Sequence, residues 1–278
     1  MVVFPNSKIN LGLNVIHKRI DGFHNIETVF YPVLWHDALE IIETNNGKPF
    51  ELSQSGINID IKQEDNLIYK TWVSIKNTKK IPHLQVHLHK NVPIGAGLGG
   101  GSADAAFFIN TVNIKFNLNF SEDEKLIIAS KIGSDCAFFI KNKPMFCFEK
   151  GDKFKNIELN MREYLILLVY PNLHIPTKEA YTNIQPYEIG FDISHLVERK
   201  DFFEWKNLLH NDFENSLFPK YLVLNELKES FYDAGAVYAA MSGSGSTIFG
   251  IFEKNKLDVL QELRVGYPKD YKTWLGEF

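Results

Sequence analysis

Pro93-Ile94-Gly95-Ala96-Gly97-Leu98-Gly99-Gly100-Gly101-Ser102-Ala103-Asp104-Ala105-Ala106 is the stretch on which the fold turns. Five glycines fall within the seven residues from Gly95 to Gly101, and helix-forming alanines follow at once. Before it, Leu84-Gln85-Val86-His87-Leu88-His89 alternates apolar and polar side chains with the period of a half-buried strand. The local order is therefore strand, glycine loop, helix. Glycine lets backbone N–H groups turn toward an anion with no side chain in the way. A helix starting near Ser102 aims its own N–H groups and the positive end of its dipole at the same spot. The combination predicts a cradle for phosphate; a tight glycine turn at a sheet corner is the plain alternative.

Two commoner glycine loops do not fit. Gly95, Gly97 and Gly100 satisfy G-x-G-x-x-G, but a dinucleotide fold also needs an acidic residue about twenty positions on, at the end of the next strand. The acids there, Glu122 to Glu124, follow Ser121 and predict the first turn of a helix instead. A P-loop carries Lys before Ser, and Gly101 holds that place.

The rest of the chain describes a globular protein with ample core. Its 278 residues allow one large domain or two of ordinary size, with 45% apolar and 23% charged residues. Thirty basic against 34 acidic side chains give a net charge of −4, which argues against general nucleic-acid binding. The longest apolar runs, such as 164–170, are strand length and too short to span a bilayer. Two cysteines, Cys136 and Cys147, are too few for a zinc site by themselves. With no signal peptide evident at Met1-Val2-Val3-Phe4-Pro5, the reduced cytoplasm is the expected compartment.

Upstream of the loop, residues 5–15 alternate as a strand that places Lys8, Asn10, Gly12 and Asn14 on one face. Lys and Asn on a shared face suit an anion or a hydroxyl; the exposed side of an edge strand accounts for them as well. Asp21-Gly22-Phe23-His24 reads as a turn. A helix is expected after Asp65, with Ile68, Trp72 and Ile75 on one face and Lys76, Lys79 and Lys80 at its end. Ser121 to Glu124 form a capping box for a helix that carries Leu126, Ala129 and Ile132 inward and stops at Gly133. Then comes Ser134-Asp135-Cys136, where Asp135 or Ser134 suits the cap of another helical turn and Cys136 a small buried residue. Past residue 150 a strand is expected over 165–170, and helices over 202–209 and 222–232 with Leu224, Leu227 and Phe231 inward. Ser242-Gly243-Ser244-Gly245-Ser246 leads into an apolar strand, either as a second loop closing over a phosphate or as a simple hairpin turn.

Taken together these segments resemble the GHMP kinase superfamily from end to end. The resemblance rests on residues 5–10, Asp21-Gly22-Phe23-His24, the Pro93 to Ala106 loop, Gly133-Ser134-Asp135, Asn211-Asp212-Phe213-Glu214 and Ser242 to Ser246. It implies an α+β, two-domain GHMP kinase fold, with a ribosomal-protein-S5-like N-terminal domain over 1–150 and a ferredoxin-like C-terminal domain over 151–278. It also implies ATP-dependent phosphorylation, with Mg2+, of the 2-hydroxyl of a cytidine diphosphate ester of methylerythritol, in the non-mevalonate route to isoprenoid precursors. By position, Asp135 becomes the base and Lys8 the cation at the transferred phosphate. Pro93, Ile94, Gly95, Ala96, Gly97, Leu98, Gly99, Gly100, Gly101, Ser102 and Ala103 wrap the ATP phosphates, and Asn66 and Leu67 contact the adenine region. Asn10 helps bind the acceptor, and His24 reads the cytosine edge with Phe23 and Tyr181 as stacking partners. Thr177 lies at the acceptor's phosphates, and Ser242, Gly243, Ser244 and Gly245 form the second glycine loop. No protein ligand for the metal is placed. Cys136 and Ala137 depart from the Val and Pro usual in the family, which small apolar side chains explain as packing changes. A small-molecule substrate, no nucleic acid, no membrane, and a monomer or weak homodimer complete the expectation.

Overall fold

The computed structural model describes residues 1–182, 184–187 and 190–278. Strands β1 (Val2–Val3), β2 (Asn6–Lys18), β3 (His24–His36), β4 (Ala38–Glu43) and β5 (Phe50–Gly56) open the chain. Helix α1 (Leu67–Lys76), strand β6 (Leu84–Lys90) and helices α2 (Gly100–Lys115), α3 (Glu122–Ile132) and α4 (Cys136–Lys141) follow. Next come β7 (Met145–Phe148), β8 (Lys153–Asn156), β9 (Tyr164–Tyr170) and the short helices α5 (Thr177–Ala180), α6 (Ile193–Glu198), α7 (Phe202–Leu208) and α8 (Asp212–Leu217). The chain closes with α9 (Leu222–Asp233), β10 (Tyr238–Met241), β11 (Ile248–Glu253), α10 (Leu257–Gly266) and β12 (Lys272–Glu277). No helix among the described residues is long and apolar enough to cross a membrane.

The chain divides into two compact units, the first made of Met1–Ser7, Trp35–Ile94 and Gly99–Lys143. Its sheet runs β1-β4-β6-β5, with β6 antiparallel to β4 and parallel to β5. The alternation read from the sequence holds: Leu84, Val86 and Leu88 of β6 are buried, while Gln85 and His89 are exposed. In α1, Ile68, Trp72 and Ile75 are buried with Thr71, but the helix ends at Lys76, so Lys79 and Lys80 lie beyond it. The capping box is present, with Ser121 Oγ accepting from Glu124 N and the Glu124 carboxylate accepting from Ser121 N. α3 packs among α1, α2 and α4. These neighbours centre its buried stripe on Ile128 and Ala129 and leave Leu126 and Ile132, expected inside, half-buried at the margins.

The second unit comprises Lys8–Leu34, Gly95–Leu98 and Pro144–Phe278. It holds sheets ordered β2-β3-β7-β8 and β10-β11-β9-β12. The order β9-α9-β10-β11-α10-β12 along the chain, with β9 and β11 central, is the β-α-β-β-α-β pattern of a ferredoxin-like domain. Leu165 to Val169 are all buried, so β9 is an unbroken apolar run as a strand covered on both faces must be. Leu224, Leu227 and Phe231 of α9 join Leu167, Val169, Ile248 and Phe252 in one core. The expected domains 1–150 and 151–278 follow the chain, whereas these units follow contacts and count Lys8–Leu34 and Gly95–Leu98 with the second.

Strand β2 overturns one expectation. Lys8, Asn10 and Asn14 are buried, not the exposed face of an edge strand. The strand is last in its sheet, yet its free edge is taken up: Lys8 N donates to Leu98 O, Leu13 N donates to His210 O, and Leu13 bridges to Asn211. Polar side chains buried in this way need polar partners.

Candidate active site

In the first unit the site is the start of α2. Gly99 is its N-cap, in the left-handed region at φ 69°, and no side chain caps the helix. The first intrahelical bond runs from Ala103 N to Gly99 O at 2.9 Å. The N–H groups of Gly100, Gly101 and Ser102 therefore precede it, which is the arrangement that binds anions. The helix starts at Gly100, earlier than the expected Ser102. Leu67 lies at this helix start: among the described residues, the position of a Cβ on Gly101 would meet Leu67 Cδ1, at 3.8 Å. Asn66 itself caps α1, its Oδ1 accepting from Ile68 N at 2.8 Å. Gly100 is backed more tightly, with a Cβ there 3.0 Å from Lys90 Nζ and 3.1 Å from Val92 Cγ1.

Asp135 stands at the N-cap position of α4, yet its side chain makes no capping bond. It accepts instead from Ser134 Oγ at 3.3 Å. A capping role therefore does not account for the carboxylate. Cys136 is fully buried, and its thiol is pushed up to about 12 chiefly by burial, so it is a packing residue and not a nucleophile.

In the second unit Gly95–Leu98 meets the hairpin loop between β10 and β11. Gly97 has φ 80°, and a Cβ there would lie 1.9 Å from Ser242 O. Ser242 Oγ donates to Gly97 O at 2.9 Å, and Thr247 N donates to Ala96 O at 3.3 Å. Gly243 lies against both Gly97 and Asn10, its Cβ position 3.2 Å from Gly97 O and 3.4 Å from Asn10 Oδ1. Ser242 to Gly245 are thus a hairpin turn, as one expectation had it, and that turn also closes on the glycine loop. Thr177 Oγ1 reaches the same turn at Ser244 Oγ, 3.3 Å away.

Lys8 is 3% exposed. Its Nζ donates to Asn10 Oδ1 at 2.7 Å and lies 4.6 Å from the Phe30 ring centroid. Asn10 Nδ2 donates to Thr28 Oγ1 at 2.9 Å, and Thr28 Oγ1 to Gly12 O at 2.5 Å. The ammonium is held by a chain of buried polar groups that ends on the backbone. His24 and Tyr181 stack with centroids 4.7 Å apart and planes 17° apart, and Phe213 packs edge-on against Tyr181. Burial, and then the charge of Lys18, hold His24 below its ordinary range. It is neutral at pH 7, with one nitrogen donating and the other accepting. Phe23 is not part of this stack: it is 61% exposed, with Lys150 Nζ 5.5 Å from its centroid.

Three residues have roles that sequence reasoning did not assign. Thr28 sets Asn10, and nothing in its surroundings in the sequence marks it. Asn211 Nδ2 donates to Met241 O at 2.7 Å and Gly243 O at 2.8 Å, while Glu214 Oε1 accepts from Met241 N at 2.7 Å. These two hold the hairpin turn in shape. Asn211 Oδ1 also accepts from Phe213 N, as an N-cap does, and its long-range bonds leave no local mark in the sequence.

Comparison with known proteins gives consistent matches. The family described as GHMP kinases N terminal domain matches residues 66–143, and GHMP kinases C terminal matches residues 193–267. The chain is 47% identical over 253 residues to a 4-diphosphocytidyl-2-C-methyl-D-erythritol kinase of Bacteroides fragilis strain YCH46, covering 91% of this chain and 92% of that one. A protein of the same description from Chlorobium phaeobacteroides is 35% identical, with 89% and 85% covered. Among solved structures, a 4-(cytidine 5'-diphospho)-2C-methyl-D-erythritol kinase superposes with a TM-score of 0.81 at 25% identity, over 99% of this chain and 98% of that one. The mevalonate kinase of Methanococcus jannaschii, at 15% identity and a TM-score of 0.71 over 100% and 98% of the two chains, shares the fold.

Proposed function

The chain belongs to the GHMP kinase family, and from that premise we propose that it transfers the γ-phosphoryl group of ATP to the 2-hydroxyl of 4-diphosphocytidyl-2-C-methyl-D-erythritol, in the non-mevalonate route to isoprenoid precursors. The observation that carries the reading is the start of α2, a helix whose cap is glycine and so gives its first N–H groups no side-chain cap. Such a start binds phosphate.

Phosphoryl transfer asks for positioning and charge stabilisation more than covalent chemistry. Gly99 to Ala103 supply backbone donors to the triphosphate. Asp135, whose carboxylate is not spent on its helix, takes the proton of the attacking hydroxyl. Lys8 offsets the charge that grows on the transferred group, and its bond to Asn10 keeps the ammonium in place as that happens. Asn10, Thr177 and the paired rings of His24 and Tyr181 serve the acceptor, with His24 reading the cytosine edge. Among the described residues no three His, Cys, Asp or Glu side chains converge as a metal site. Mg2+ would therefore come with the triphosphate, whose oxygens coordinate it, while the N–H groups of Gly99 to Ala103 would hold the phosphates. Bound there, the ion neutralises part of the phosphate charge.

Gly101 offers a clean test of the phosphate cradle. Among the described residues beyond its own helix, the nearest atom to its Cβ would be Leu67 Cδ1, at 3.8 Å. In a helix, Ala in place of Gly stabilises by roughly 0.5–1 kcal/mol. Gly101→Ala is therefore expected to raise the melting temperature while weakening ATP binding in calorimetry. Unchanged ATP affinity would make the loop a structural turn. Gly100→Val is the poorer experiment, because its side chain strikes Lys90 and Val92 before any ligand.

Acceptor choice is tested by ADP release. Activity is expected with the cytidine ester, and none with mevalonate, homoserine or galactose, because a site of buried polar groups rejects ligands that leave them unpaired. His24→Ala is expected to lower kcat/KM for the ester by about 2- to 13-fold, equivalent to about 0.5–1.5 kcal/mol for a hydrogen bond to the base edge, with the KM for ATP unchanged. Efficient phosphorylation of mevalonate would overturn the assignment.

A further inference from the structure

Three ionisable side chains buried behind the start of α2 take no part in the chemistry above. Lys90 closes β6, Asp37 precedes β4, and Asp104 follows the glycine run in α2; they are 2%, 1% and 3% exposed. Lys90 Nζ donates to Asp104 Oδ2 at 2.9 Å and also to Asp37 Oδ2. Asp37 Oδ1 accepts the backbone N–H groups of Asn91 at 2.6 Å and Val92 at 2.8 Å. Asp37 thus fixes the two residues that lead from β6 into Pro93. Lys90 ties that same point to the first turns of the helix that leaves the loop, and it lies against Gly100.

As a source of stability this cluster is a poor choice. Two carboxylates share one ammonium, and Asp104 Oδ1 is buried with no hydrogen-bond partner among the described residues. Burial, opposed by Lys90 and reinforced by Asp37, pushes Asp104 up to about 7. Well-packed apolar side chains of the same volume commonly stabilise a fold as well or better. What the charged cluster supplies is direction: charge-assisted hydrogen bonds fix both ends of the loop relative to one atom, Lys90 Nζ.

We propose that Asp37, Lys90 and Asp104 are positioning residues that hold the entry and exit of the glycine loop at the spacing the nucleotide's phosphates require. None of them touches the nucleotide; they act through the backbone of Asn91, Val92 and Gly100. The proposal rests on the assignment of this loop to ATP.

The test compares Asp104→Leu with Asp104→Asn. Leucine fills the space and leaves Lys90 paired with Asp37 alone, whereas asparagine keeps an oxygen for Lys90. Calorimetry on folded protein is expected to show ATP affinity falling by about tenfold or more in Asp104→Leu, the scale of loss that misplacement produces. Affinity for the cytidine ester should be unchanged, and Asp104→Asn should restore most of the ATP affinity. In steady-state kinetics the KM for ATP should rise while that for the ester does not. Wild-type ATP affinity in folded Asp104→Leu would overturn the proposal and leave the cluster structural. Equal loss in Asp104→Asn would overturn it too, since charge and not placement would then matter. If Asp104→Leu does not fold, Asp104→Ser is read in the same way. Failure of the wild-type protein itself to bind ATP would sink the assignment of the loop instead.

Discussion

Asp135→Asn lowers kcat by roughly 10²–10⁴, the usual range for loss of a general base, while ATP and the cytidine ester still bind. The geometry makes this result interpretable. Asp135 sits at the N-cap of α4 but gives that helix no side-chain bond, so no cap is lost on substitution. Asparagine is as good a cap as aspartate in any case, and a lost cap would cost only about 0.5–2 kcal/mol of stability. The melting temperature should therefore stay near that of the wild type, and the rate loss cannot be assigned to unfolding. Asparagine also keeps an oxygen for Ser134 Oγ, so that bond survives while the proton acceptor is removed. A variant that turned over at the wild-type rate under saturating substrate would show that Asp135 is not the base.

Lys8→Met is expected to cut kcat by about 10²–10³, the loss typical of removing one donor from a developing negative charge. Methionine keeps the apolar stem beside Phe30 and removes only the ammonium. It leaves Asn10 Oδ1 without its donor, although Asn10 remains tied to Thr28 through Nδ2. The measurement is kcat at saturating ATP and ester, beside calorimetry for both ligands. A fall in kcat with both affinities kept is the expected pattern. A fall in ester affinity with kcat intact would make Lys8 a binding residue.

The glycine run, the strand before it and the alanines after it announced the order strand, glycine loop, helix, because each needs only local chemistry. The capping box at Ser121 and the apolar faces of α1 and α9 were legible for the same reason. Burial of Lys8 and Asn10 was not. Their alternation is the same on an exposed edge strand, and the edge of β2 is covered by segments distant in the sequence, at Leu98 and at His210 and Asn211. The roles of Asn211 and Glu214 were hidden likewise, since their partners in the hairpin turn lie about thirty residues on. Phe23 and Tyr181 were expected as stacking partners for the cytosine base, but a position beside His24 in the sequence does not decide which ring turns inward. His24 takes the face of Tyr181, and Phe23 points to solvent.

The central claim is a phosphoryl transfer to one particular hydroxyl, and the structure of the product tests it most directly. In 4-diphosphocytidyl-2-C-methyl-D-erythritol the 2-hydroxyl sits on the carbon that bears the methyl branch, which carries no hydrogen. Proton-coupled 31P NMR of the reaction with ATP should therefore show ADP and a new phosphate monoester without splitting from a proton on the ester carbon. A monoester split by such a proton would place the phosphate on another hydroxyl. Release of inorganic phosphate with no new ester would contradict the kinase assignment altogether.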